Sequence, residues 1–147
     1  MDTVTRTLYD TDFNLWIEQT INQLKSGNLR DLDRENLIDE IESMGRSDKR
    51  EIRSRLIVLL MHLLKYQYQP KKQTRSWISI INTQRNEIEL VLKDSPSLRP
   101  YVNEDLPECY QKAIRSAVNE TNLPLTTFPA DCPFSPEQVL DPDYFPK

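Results

Sequence analysis

Apolar residues recur along the first 120 positions at intervals of three and four, the spacing that gathers them on one side of an α-helix. Phe13, Trp16, Ile17, Ile21 and Leu24 form the first such stripe, with Asp10 or Thr11 placed to cap it and Gly27 suited to a left-handed exit. Leu37, Ile38, Ile41 and Met44 form a second on a shorter helix from about Asp33, expected to face inward and to stop at Gly45. Ser47 is then positioned to cap a third, long helix that Pro70 must end. A fourth runs from near Thr74 through Trp77, Ile80, Ile81, Gln84, Ile88, Val91 and Leu92. A fifth covers about Val102 to Asn119, around Tyr110, Ala113, Ile114 and Ala117. Pro107 lies inside this last element, so the helix is either kinked there or begins there.

Beyond Asn119 the periodicity stops. Six of the ten prolines fall in residues 119–147, among Leu123, Leu125, Phe128, Phe134, Val139, Leu140, Tyr144 and Phe145. A disordered tail does not carry so many large apolar groups. The segment reads as an extended strap laid on the helices, with a short helix opened by the capping box Ser135-Pro136-Glu137-Gln138. The expectation is an all-α single domain over residues 1–147. It consists of a bundle of about five helices at 9–119 and a proline-rich strap, with its short terminal helix, at 120–147.

Composition supports this class. The 147 residues include only two glycines, Gly27 and Gly45, too few for β-rich turns or for either glycine-rich phosphate loop. The longest apolar run, Leu56 to Met61 and on through Leu63 and Leu64, is about half a membrane span. The first residues lack a basic-then-apolar leader pattern, which points to the cytoplasm. Cys109 and Cys132 are far apart in sequence and read as reduced thiols, and with one histidine in the chain no metal or other cofactor is expected.

Projected at 100° per residue, the third helix is apolar around most of its circumference, as in a helix buried on several sides. The gap holds Arg55 and His62, about 20° apart in projection and two turns apart along the axis. One reading is structural, with His62 bonded to a neighbouring helix and Arg55 paired with Glu51. A second is a metal site completed by Glu35, Asp39, Glu40 or Glu42. The third is catalytic: arginine and histidine at this spacing resemble the signature of the HEPN-type ribonucleases, in which the histidine handles a proton and the arginine steadies the phosphate. A small metal-independent ribonuclease built on Arg55 and His62 is therefore the alternative function.

Charge adds a second candidate. Residues 52–86 contain no Asp or Glu but hold Arg53, Arg55, Lys65, Lys71, Lys72, Arg75 and Arg85; the net charge of −4 then leaves −11 for the rest. Such segregation marks a surface. Lys65, Lys71, Lys72, Arg75, Trp77 and Arg85 are the binding candidates, with Tyr66 and Tyr68 just upstream. Cations among aromatics suit single-stranded RNA. A pI near 5.1 opposes a polyanion and favours a protein partner, a second copy, or neutralisation by the acidic 31–42 and 131–143 segments.

NLIDEIESMGRSDKREIRSRLIVLLMHLLKYQYQP, RSWISIINTQR, DSPSLRP and NLPLTTFPADCPFSPEQVLDPDYFP together resemble the uncharacterised family known as domain of unknown function twenty-nine, from about Tyr9 to Pro146. The resemblance implies an all-helical domain of the bacterial cytoplasm and no particular activity. The family's motif positions here include Glu40, Gly45, Arg55, His62, Lys65, Gln67, Pro70, Arg75, Trp77 and Arg85, and Pro107 departs from its smoother fifth helix. The functional expectation is a non-catalytic binding or regulatory module that meets a macromolecule through the basic 65–85 surface.

Overall fold

The computed structural model describes residues 7–147, and among them the fold is all α. Six helices follow in order: α1 (Leu8–Thr11), α2 (Phe13–Lys25), α3 (Arg34–Tyr68), α4 (Arg75–Asp94), α5 (Arg99–Thr121) and α6 (Pro136–Leu140). Short 3-10 turns at Pro70–Lys72, Pro96–Leu98 and Leu125–Thr127 join the later ones.

The expected second and third helices are one. α3 runs 35 residues without a break, and neither Gly45 nor Ser47 interrupts it. Glycine inside a helix costs only about 1 kcal/mol relative to alanine, and good helix formers flank it. An Arg46–Glu42 ion pair one turn long, at 3.8 Å, spans the glycine. The start of α2 also differs. Leu8–Thr11 close a turn of their own, so the cap falls to Asp12, whose carboxylate accepts from the Leu15 N–H at 3.0 Å. Gly27 takes the expected left-handed conformation, with φ of +75°.

The chain forms two compact units, Met1–Arg46 and Ser47–Lys147. In the first, polar ties and an aromatic cluster hold the helices. Trp16 Nε1 donates to Asp33 at 3.1 Å, the Tyr9 hydroxyl donates to Glu40, and the rings of Tyr9, Phe13 and Trp16 meet edge-on or stacked. Little is buried here. Of the expected inward stripes only Trp16 is covered; Phe13, Ile17, Ile21, Leu24, Ile38, Ile41 and Met44 are exposed, and Leu37 is half-buried.

The second unit holds the core. Ile52, Leu56, Leu59, Leu60, Leu63 and Leu64 of α3 are fully enclosed, packed with Ile81, Ile88 and Leu92 of α4, Val102, Tyr110 and Ala113 of α5, and Phe128, Phe134 and Val139 of the strap. α5 continues without a break through Pro107. The proline is exposed, while its neighbours Leu106, Cys109 and Tyr110 are buried. Tyr110 donates to the Pro129 carbonyl at 2.6 Å and Gln111 to that of Ala130 at 2.8 Å, which fastens the strap. The Ser135–Gln138 capping box opens α6 as expected.

Candidate functional site

Arg55 and His62 both lie on α3 but are turned to different company. Arg55 Nε donates to Glu51 one turn back at 3.0 Å, and its other nitrogens reach Gln84 Oε1 at 3.2 Å and Glu87 at 3.7 Å on α4. The Glu51 pair is the one the spacing suggests; the α4 partners, some 30 positions on, are not visible in sequence. A guanidinium held by two carboxylates is already neutralised, so a phosphate would have to displace them.

His62 is 7% exposed. Its Nδ1 lies 2.9 Å from the Val58 carbonyl, on its own helix rather than on the neighbouring one that was expected. A carbonyl only accepts, so Nδ1 carries a proton. Burial pushes its pKa below the ordinary value, reinforced by the nearby Lys65 ammonium. A general acid or base must reach the proton it moves, and 7% exposure leaves this ring little contact with solvent.

The seven cations of residues 52–86 divide into two groups. Arg53 forms a two-pronged pair with buried Asp105, at 3.0 and 3.3 Å, and also donates to the Tyr101 hydroxyl at 3.1 Å. The Cys109 thiol donates to the same carboxylate at 3.2 Å, and burial together with that bond pushes the thiol up to about 12, so it is inert as a nucleophile. Sequence reading missed this α3–α5 junction because its partners are 52 residues apart; an aspartate on the apolar arc of α5 was the one available signal. Lys65 donates to Glu120 at 2.7 Å, holding that carboxyl below its usual range, and sits 4.8 Å above the Trp77 ring.

Arg85 lies in the interior rather than on the basic surface. At 2% exposure it donates to the carbonyls of Val139 at 2.8 Å and Gln138 at 3.2 Å and stacks over Phe145, so it ties the strap to α4. The acidic 31–42 and 131–143 segments supply no carboxylate to any of these ion pairs; α3, α4 and α5 do.

Three cations remain. Lys71, Lys72 and Arg75 are exposed and have no ion pair among the described residues. They occupy a stiff connection: Pro70 starts the 3-10 turn, Gln73 donates to the Tyr66 carbonyl at 2.8 Å, and Thr74 caps α4 by accepting from the Trp77 N–H at 3.2 Å. The aromatics beside them are engaged elsewhere. Tyr66 packs on Phe145, Tyr68 on Phe128, and Trp77 lies under Lys65. Among the described residues no three His, Cys, Asp or Glu side chains converge to hold a metal, and no helix is long and apolar enough to cross a membrane.

No curated protein and no solved structure matches this chain. The model for the family described as "Domain of unknown function DUF29" matches residues 8–145, nearly the whole sequence, and the chain belongs to that family.

Proposed function

We propose that this chain is a non-catalytic binding module whose exposed turn Lys71–Lys72–Arg75 holds an acidic protein surface. One observation carries the reading: of seven cations in an acid-free stretch, four are engaged within the fold and three, all within five positions, are left to solvent on a stiff turn. Preorganised charge of this kind steers and orients a partner of opposite sign. A protein partner fits better than RNA because the neighbouring rings, which base stacking requires, are half-buried and each already packed against another group. The ribonuclease alternative gains no support, since His62 is enclosed and Arg55 is bound to carboxylates.

Fluorescence anisotropy with a labelled glutamate-rich peptide and with labelled single-stranded RNA tests this. The acidic peptide is expected to bind in a salt-dependent way, and the Lys71→Ala/Lys72→Ala/Arg75→Ala variant to lose that binding. RNA cleavage by the wild-type chain that disappears in His62→Ala would overturn the proposal in favour of the nuclease. Tight RNA binding without affinity for the peptide would overturn the choice of partner.

A further inference from the structure

The exposed apolar face of α3 has no role in the proposed binding turn and no covering among the described residues. Ile38 is 48% exposed, Ile41 59% and Met44 68%. Together with half-buried Leu37 and with Gly45 they lie within about 60° of the Ile41 direction when projected on the helix. A Cβ at Gly45 would meet nothing within 4 Å, so no contact among the described residues explains a glycine there.

We propose that two copies of this chain pair through this face, their α3 helices crossing antiparallel about a two-fold axis at Ile41. The charge and size of the paired positions argue for a second copy as the occupant. In an antiparallel pair centred on Ile41, residues equally far before and after it come level across the interface. Ile41 then meets its own counterpart, Ile38 comes level with Met44, and Leu37 with Gly45. The largest gap in the face therefore receives a leucine. One heptad either side of the centre, still within about 20° of it, Arg34 comes level with Asp48, giving two symmetry-related opposite-charge pairs at the ends. A partner of unrelated sequence would not require opposite charges at the two ends of the face or a glycine level with a leucine.

Residues 34–48 also keep the a/d spacing of a helix seam, in which large and small side chains interlock.

Sedimentation equilibrium of the full chain across about 1–100 µM is the direct test. The expected result is a dimer that Ile41→Glu dissociates, raising its dissociation constant by about a hundredfold or more. Ile41 is exposed, so that variant keeps its fold, which an unchanged circular dichroism spectrum verifies. Arg34→Glu and Asp48→Arg should each weaken the dimer a few-fold and together restore it. Ile41→Cys should form an interchain disulfide under mild oxidation because the axis places the two side chains face to face, whereas Glu42→Cys should not. A monomer throughout the range overturns the proposal, as does a dimer indifferent to Ile41→Glu. Failure of the charge exchange to restore pairing overturns the antiparallel register.

Discussion

At the scale of single residues, burial separates the polar groups that serve the fold from those that are free to act. His62 shows it through pH. Its folded pKa is depressed, so above about 6.5, its ordinary value, the ring is neutral folded or unfolded and costs nothing. As the pH falls below that value the unfolded chain takes up a proton that the folded ring resists, and stability drops until the folded pKa is passed. Denaturant titrations between pH 7 and 5 should show this slope, and His62→Gln should flatten it. Arg85 is a second case. Arg85→Met keeps the bulk but leaves the Val139 and Gln138 carbonyls without their donor; a loss of about 2–4 kcal/mol is expected in urea unfolding. Leu60→Ala, at a position with no exposure, should cost about 2–5 kcal/mol. Lys72→Ala, exposed and with no ion pair among the described residues, should stay within about 0.5 kcal/mol by the same measurement.

At the scale of elements, local chemistry marked the ends it could mark. Pro70, Thr74 and Ser135 act as their residue types dictate, because a missing N–H and a capping oxygen need no distant partner. Ser135→Ala should therefore cost about 1 kcal/mol, read as a lowered midpoint in thermal unfolding. Gly45 misled because a single glycine is a weak breaker: its penalty is smaller than the sum of hydrogen bonds gained by continuing α3. Of the two outcomes open to Pro107, a helix start is excluded, since α5 runs from Arg99 to Thr121 with the proline exposed inside it. The leucines of α3 were readable from pattern alone, since an apolar circumference demands enclosure. The partners of its polar edge were not: Gln84 and Glu87 reach Arg55, and Asp105 reaches Arg53, only because tertiary packing brings α4 and α5 alongside. Arg85 had the composition of a surface site and the environment of an anchor, and only the path of the strap distinguishes the two.

At the scale of the whole molecule, the two compact units differ in how they resist opening. Between residues 7 and 51 only Trp16 and Thr20 are buried among the described residues, whereas Ser47–Lys147 contains the entire leucine-rich core. Protection of an amide from exchange with solvent follows the free energy of the opening that exposes it, and burial of apolar surface supplies most of that free energy. Hydrogen exchange on dilute protein should therefore find peptides from 13–25 and 34–46 exchanging about a hundredfold faster than those from 52–64 and 102–117. The same measurement bears on self-association. If the Ile41 face is closed by a second copy, raising the protein concentration must slow exchange in 34–46, because binding stabilises only the closed helix by mass action. The 52–64 and 102–117 peptides, enclosed within one copy, have no reason to respond. Concentration-independent exchange in 34–46 across the same range would mean that this apolar face stays open to water.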